Sequence, residues 1–554
     1  MAPDIHLQPQ LQGSSNSWIS LTGAWHQPLT SRACFSATTT MSIPSIPYLD
    51  LLAPEVWLDC WTPCSTRQLR RLSLVCHLFR TLCLPLLFRH QSLDVGQVWS
   101  PVDNDGWGDR LDYMERTAIR LERLMDGPRA LWVRSWRFSA APEAHPHTRL
   151  LLNIQNRKHF VLLEKLHEQI IATFASTLGL YHNLRSLHLQ GVTIDMHTRN
   201  TLSSLSNLES LTLACEITAR DGDLMKLKSF TIAVTPGASI AVTTEPLRIV
   251  SAEHLQNLNI DDRWEMASLL TGFQPRKFPQ LVSISLDFLS DEERGIDLGI
   301  DLFFEFLQRC PQLESLAIHY VYFTSNDPLP SRLHPNTIPR LGSLTAPLNL
   351  IDLFTPNRPV GTVSVKRGYP YDHVAIPSEE AGEYLALLFA GLSLASIPLQ
   401  FLSIPPISPT PECFAAIVSA CPHLTALVID VTETAAWPPR RGEIACPEEE
   451  ISDAEDSEGM PRASSVDSSS SAAQYWILTT VLKWIREGSI SLPPDLEVFR
   501  INLDSDVRPW ISGEEEAQAR ASLIGLCPGL REVQIGPVHN QWKRTGAGWK
   551  KVRA

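Results

Sequence analysis

Long apolar runs are absent from this chain. No stretch reaches the roughly 18 consecutive apolar residues of a membrane-spanning helix, so no membrane partner is expected. The opening MAPDIHLQPQLQGSS has neither a basic start nor an apolar centre, so no signal peptide is expected. Positive charge is scarce: 47 Lys and Arg stand against 60 Asp and Glu, a formal net charge of −13. A general nucleic-acid binder needs a basic surface, so nucleic acid is not an expected partner. Catalytic signatures are missing too. There is no Walker-type phosphate loop, no Gly-x-Gly-x-x-Gly after a strand, no Gly-x-Ser-x-Gly elbow and no His-Glu-x-x-His. His145 and His147 flank Pro146 in a polar loop without a third ligand. Acid pairs such as Asp261-Asp262 and Glu292-Glu293 have nothing to place them in a pocket. The chain is expected not to be an enzyme and to use no cofactor.

The eleven cysteines are scattered. Cys60, Cys64, Cys76, His77 and Cys83 offer no compact ligand pair at both ends, so no metal site is expected. Cys76 and Cys83 fall on an apolar stripe. That is the usage of reduced, buried thiols in an intracellular protein, cytoplasmic or nuclear.

What the chain does have is enough apolar material, 44%, for a large core in two or more domains or one solenoid. Residues 1–42 are rich in Ser, Thr, Gln and Pro without a sustained period and read as a disordered leader. Residues 43–93 read as a small helical domain. Pro54 suits a first helical turn, with Glu55 favoured by the helix dipole. Val56, Trp57 and Leu58 begin an apolar face, and Pro63 stops or bends the helix. Ser65 and Gln68 have capping-box spacing. Leu69, Leu72, Cys76, Phe79 and Cys83 then follow at three- and four-residue steps, one stripe of a helix expected to end at Pro85. About 40 residues this apolar bury too little core to stand without a partner, so a docking module is expected.

Three blocks occur here in order: Ala-Pro-Glu-Val-Trp-Leu-Asp (53–59), Leu-Ser-Leu-Val-Cys-His-Leu-Phe-Arg (72–80) and Leu-Pro-Leu-Leu-Phe-Arg (84–89). Together, over roughly Ile46 to Leu93, they resemble the F-box motif as it occurs in fungal F-box proteins. Ala53 stands where that family usually has Leu. Cys60, Trp61 and Cys64 replace an apolar set, and Pro63 intrudes. The resemblance implies docking on a Skp-type adaptor, and through it on a cullin, by Pro54, Val56, Trp57, Leu58, Leu72, Val75, Phe79 and Leu87.

Residues 94–132 read as a linking helical segment, with Leu111, Met114, Ala118, Leu121 and Met125 on one helix face. From Val133 a pattern recurs: apolar, two residues, apolar, one residue, apolar. It begins at Val133, Leu184, Leu208, Leu227, Leu255, Leu281, Leu313, Leu341, Leu399, Leu424, Leu496 and Leu530. Steps from Leu184 to Leu341 run from 19 (208 to 227) to 32 (281 to 313), bracketing a leucine-rich-repeat period. Each instance ends with strand periodicity, and three follow an amphipathic helix that closes on Cys-Pro. Helix and strand in alternation imply parallel strands. The expected fold class is therefore α/β: a small all-α F-box-like module, then an irregular leucine-rich-repeat-like solenoid with a parallel sheet over 133–538, lacking an Asn ladder.

Two stretches interrupt the pattern. Residues 350–382 are expected to form an extra loop or hairpin. Residues 437–473 read as a disordered acidic and Ser-rich insertion, either a spacer or a regulated segment through Ser452 and Ser457. The basic tail 539–554 is expected to lie against the acidic loop or the adaptor, or to fray. Period-two geometry turns His188, Gln190, Thr212, Asn259, Asp261, Ser285, Asp287, His319, Asp430, Arg500 and Asn502 to the solvent side of the sheet. These are the expected contacts to an unknown protein substrate, on a slightly acidic face. The functional expectation is a substrate receptor of a Skp–cullin–F-box ubiquitin ligase. The alternative is an interaction scaffold that keeps an F-box-like fold outside any ligase.

Overall fold

The computed structural model describes residues 52–96, 107–125, 128–140, 154–219, 222–233, 249–260, 277–287, 299–319, 333–334, 336–366, 376, 378–405, 407, 409–431, 480–503, 513–536, 541–546 and 548–552. The leader 1–42, the insertion 437–473, His145, His147 and Asp261 lie outside these residues. The chain divides into two compact units, Met1–Cys60 and Trp61–Ala554.

In the first unit the described residues start helix α1 (Pro54–Trp61), with Glu55 in its first turn and the amide of Val56 donating to the Ala53 carbonyl at 3.0 Å. The second unit opens with α2 (Thr66–Leu72). Its N-terminus is a capping box: the Ser65 hydroxyl accepts from the Gln68 amide, and the Gln68 side chain accepts from the Ser65 amide at 2.8 Å. The single stripe expected from Leu69 to Cys83 is in fact two helices. The chain turns at Ser73–Val75, and Cys76 caps α3 (His77–Phe88), its sulfur accepting from the Phe79 amide at 3.4 Å. Pro85 does not end the run; it sits inside α3, which continues to Phe88.

The sheet begins at once, earlier than the Val133 start expected from the repeats. Strand β1 (His90–Asp94) follows α3 and pairs in parallel with β2 (Ser135–Ser139). Between them lie α4 (Trp107–Met125) and α5 (Arg129–Trp132); the Phe88 ring meets Trp132 at 6.1 Å and lies under Arg129. After β2 comes α6 (Ile154–Thr177), which packs along α4 and closes the N-terminal core. There Phe174 stacks on Phe138 at 4.0 Å and meets Trp136 edge-on.

The remaining strands join in chain order. They are β3 (Ser186–Gln190), β4 (Ser210–Ala214), β5 (Ser229–Ile232), β6 (Asn257–Ile260), β7 (Ser283–Asp287), β8 (Ser315–His319), β9 (Ser343–Pro347), β10 (Thr362–Lys366), β11 (Phe401–Ile404), β12 (Ala426–Val431), β13 (Val498–Leu503) and β14 (Glu532–Ile535). All neighbours from β1 to β14 pair in parallel. The second unit is thus a mixed α/β body on one long, parallel-dominated sheet. Every expected repeat instance is a strand, because its apolar pair points to one side and is buried, as in Leu187 and Leu189 or Leu316 and Ile318.

Two segments differ from expectation. Of residues 350–382, the described 350–366 supply a further repeat: α9 (Leu348–Phe354), which follows α7 (Met196–Ser204) and α8 (Gly299–Gln308), then strand β10 with Val363 and Val365 buried; 367–375 and 377 lie outside the described residues. The described residues of the basic tail form an antiparallel hairpin, β15 (Gln541–Thr545) and β16 (Gly548–Lys551), that extends the sheet beyond β14. The absent Asn ladder also needs qualifying, since Asn183 and Asn207 each donate to a carbonyl of the preceding turn, Leu131 and His182, at 2.8 Å. Further helices among the described residues include α10 (Ser378–Leu392), α11 (Pro411–Ala420) and α12 (Gly513–Leu526), the last two closing on the buried Cys421 and Cys527.

Candidate functional site

Two surfaces hold the residues singled out by the sequence. The first is the pair of helices α2 and α3 that opens the second unit, with α1 of the first unit taken by itself. Within α2 and α3 only Leu69 and Cys83 are buried, beside Trp61, whose ring meets Phe79 edge-on at 4.6 Å. Leu72, Phe79 and Leu87 are half-buried. Leu74 and Val75, in the turn between the two helices, are 85% and 66% exposed. In α1, Pro54 and Val56 are exposed while Trp57 and Leu58 are half-buried. Leu74 was not among the expected contacts: a continuous helix would have put it on a flanking stripe, whereas the turn turns it fully outward.

The second surface is the open face of the sheet. The register lines its side chains into columns that cross the strands. One column runs Ser92, Arg137, His188, Thr212, Thr231, Asn259, Ser285, Ala317, Thr345, Ser364, Ser403, Val428, Arg500 and Gln534. Two residues earlier in each strand is a second column. It holds Ser at 135, 186, 210, 229, 283, 315 and 343, with Asn257 and Thr362 between and after them, and His90, Phe401, Ala426, Val498 and Glu532 towards the two ends. The motif apolar-x-Ser-apolar-x-apolar thus recurs in seven strands, a signal present in the chain.

Of the expected contacts, His188, Gln190, Thr212, Asn259, Ser285, His319, Asp430, Arg500 and Asn502 lie half-buried on this face. Asp287 ends β7, and Asp261 lies outside the described residues. The acidic balance expected of the face is confined to one margin. From β1 through β13 neither of the two columns above contains a carboxylate; Asp94, Asp287 and Asp430 stand in a third column.

The far end of the face is a closed network. Arg500 Nε donates to Glu532 Oε1 at 2.7 Å, and Gln541 Nε2 donates to the same oxygen at 2.7 Å. Lys543 Nζ lies 3.4 Å from the other carboxylate oxygen. Burial pushes the Glu532 carboxyl up, but these donors and cations outweigh it and hold it below the ordinary carboxylate range. Alongside, Gln534 donates to Asn502, and Asn502 to Asp430. At the near end Gln190 accepts from the Ser139 hydroxyl at 3.1 Å. His188 Nε2 is buried without a hydrogen-bond partner among the described residues. Its pKa is lowered, first by burial and then by the charge of Arg137.

Among the described residues no group of three or more His, Cys, Asp or Glu could hold a metal ion. No described helix is long and apolar enough to cross a membrane. Among the described residues the arrangement offers surfaces for contact.

No family model and no curated protein matches the chain. Among solved structures it is similar to the crystal structure of a TLR13–ssRNA13 complex, at 16% identity and a TM-score of 0.26, over 57% of this chain and 49% of that one. The chain thus spans about half the length of that neighbour.

Proposed function

We propose that this chain is the substrate-recognition subunit of a Skp–cullin–F-box ubiquitin ligase. Its F-box-like helices dock on the Skp-type adaptor, and a leucine-rich-repeat-like solenoid holds a protein substrate on the open face of its sheet. The chain itself is not an enzyme; it raises the local concentration of substrate beside the ligase's ubiquitin carrier. It acts inside the cell, where adaptor and cullin are found.

One observation carries the reading. In the region that resembles the F-box, Val56, Leu74 and Val75 are exposed apolar side chains, two of them at adjacent positions in one turn. Leaving such groups in water forfeits about 1.5–3 kcal/mol each relative to burial, which marks the region as one that another surface covers.

Capture of a purified Skp-type adaptor by the full chain tests this. Wild-type protein retains the adaptor, and cullin with it. Leu74→Asp with Val75→Asp abolishes retention without unfolding the protein, because neither side chain is part of its core. Retention unchanged by this double substitution, or no retention by wild type, overturns the proposal. Adaptor retention that never brings cullin favours a scaffold outside any ligase.

A further inference from the structure

The two ends of the sheet differ. At the far end β16 turns back on β15, whereas at the near end β1 pairs with β2 alone. The Arg89 carbonyl accepts from the Ser135 amide, and the Val95 amide donates to the Ser139 carbonyl. Backbone groups alternate sides along a strand, so the odd-numbered residues of β1 bond β2, and the amides and carbonyls of His90, Ser92 and Asp94 point away from it. Among the described residues one bond reaches that outer edge: the Tyr113 hydroxyl donates to the Asp94 carbonyl at 2.9 Å. The backbone groups of His90 and Ser92 and the Asp94 amide have no partner there, and His90 and Ser92 are exposed. Tyr113 belongs to α4 and begins a stripe on it. Arg116, Arg120 and Arg123 follow at three- and four-residue steps, all exposed. Arg120 donates to the Gln91 side chain at 3.3 Å, so this flank of α4 runs along β1. No carboxylate pairs with the three arginines among the described residues. Of the acids of α4, Asp109 and Asp112 precede the arginines, and Glu115 and Glu122 stand on the other flank of its buried face.

We infer that the β1 edge takes an extended, acidic segment of a partner protein as an added strand. The segment's backbone pairs with the outward groups of His90 and Ser92 and with the Asp94 amide, the mode of strand addition to an open sheet edge. Stopping there, it leaves the Tyr113 bond to the Asp94 carbonyl in place. Its side chains alternate between the two faces of the sheet, so every second one turns to the helix side, where Arg116 and Arg120 stand. The spacings agree: four helical residues rise ~6 Å, and alternate residues of a strand lie ~6.7 Å apart. Acids at alternate positions thus meet successive arginines, whose planar forks match carboxylates. The site lies on the sheet's edge, apart from its open face, and it is independent of adaptor docking.

Hydrogen exchange and peptide binding on the full-length chain test it. In the free protein the amides of His90, Ser92 and Asp94 exchange fast, while those of Gln91 and Leu93, bonded to β2, exchange slowly. Mass spectrometry with electron-transfer fragmentation separates them. A fluorescein-labelled (Glu-Thr)5 peptide binds, read by anisotropy, and slows the three fast amides roughly tenfold or more. A (Lys-Thr)5 peptide does not bind. A (Glu-Pro)5 peptide keeps the charge but loses strand pairing, and it binds roughly tenfold more weakly or not at all. Arg116→Gln with Arg120→Gln weakens (Glu-Thr)5 binding roughly tenfold, the worth of a lost charge-assisted contact. Lys226→Gln, an exposed cation in the turn before β5, does not. The inference is overturned if the three amides are already slow in the free chain, because the edge is then occupied by the chain itself. It is overturned too if (Glu-Pro)5 binds as tightly as (Glu-Thr)5, which makes the contact one of charge alone, or if the arginine substitutions change nothing. Adaptor capture by the same samples is a separate readout, and failure of either result leaves the other standing.

Discussion

Arg500 and Glu532 clasp each other across β13 and β14, with Nε to Oε1 at 2.7 Å and Glu532 buried beneath Gln541 and Lys543. The Glu532 carboxyl titrates below its ordinary range, so in the folded state it binds its proton later than in the unfolded chain. The associated stability is fully present above the ordinary carboxylate range and is lost as pH falls through the depressed folded value. Thermal unfolding followed against pH should show this loss in wild type and a flatter acid limb in Glu532→Gln. At neutral pH the substitution costs about 1–2 kcal/mol, moderated by the partial exposure of Arg500 and Lys543.

Trp61 and Leu74 lie in the same helical region and should respond oppositely to substitution. Trp61 is buried edge-on against Phe79, so Trp61→Ala removes a large part of a small core, a loss of about 3 kcal/mol or more. Limited proteolysis should then cut between 61 and 88. Leu74→Asp should leave the proteolytic pattern and melting temperature unchanged, shifting stability by no more than about 0.5 kcal/mol.

Arg358 is 1% exposed and, among the described residues, is held only by carbonyl oxygens. It donates to Thr337 at 3.0 Å, Pro356 at 3.1 Å, His334 at 3.2 Å and Phe354 at 3.5 Å. The side chain pins the loop before β9 to the end of α9. Arg358→Met keeps much of the volume and strands those acceptors, so a loss of about 3 kcal/mol is expected. Hydrogen exchange at 336–338 should speed up, and Arg358→Lys should recover part of the protection.

The buried cysteines give a chemical test of the packing. Burial pushes the thiols of Cys421 and Cys527 up to about 11 and that of Cys215 to about 12; Cys310 is raised further still. Only thiolate reacts with alkylating agents, so these four should resist maleimide in the native protein and react after unfolding. Among the described cysteines the exposed Cys60 should label first, as read by peptide mass spectrometry. Rapid native labelling of Cys310 would contradict the packing of α8 against β8.

Much of the sheet was legible in the chain, because one rule generates each strand: an apolar pair at period two after an apolar residue three positions earlier. The rule was masked by its surroundings at one strand and broken at another. Val360, Val363 and Val365 obey it, but their Pro- and Gly-rich surroundings suggested a loop. In β1 the middle apolar place is taken by Gln91, whose amide instead satisfies the Phe88 carbonyl at 3.1 Å. The break between α2 and α3 was hidden because Leu72, Cys76 and Phe79 keep helical spacing through it, and cysteine is not a usual cap. Pro85 is accommodated late in α3, where it forfeits one backbone bond. Which residues share the open face followed from period two alone. Which of them meet did not, because His188 finds Arg137 and Arg500 finds Glu532 only once distant strands fall into register.

A sheet built by adding parallel strands in chain order has a final strand whose free amides and carbonyls could template another molecule. This chain reverses direction there. Gly548, at φ +116°, lets β16 fold back on β15, and Arg520 braces the hairpin 3.7 Å from the Trp542 ring centroid. The outermost strand reads Gly-Trp-Lys-Lys, with Lys550 and Lys551 both exposed. A second copy pairing there through the same strand would have to bring like charges together. The β15–β16 hairpin therefore occupies the edge that β14 would otherwise offer to another strand, a duty separate from whatever the open face holds.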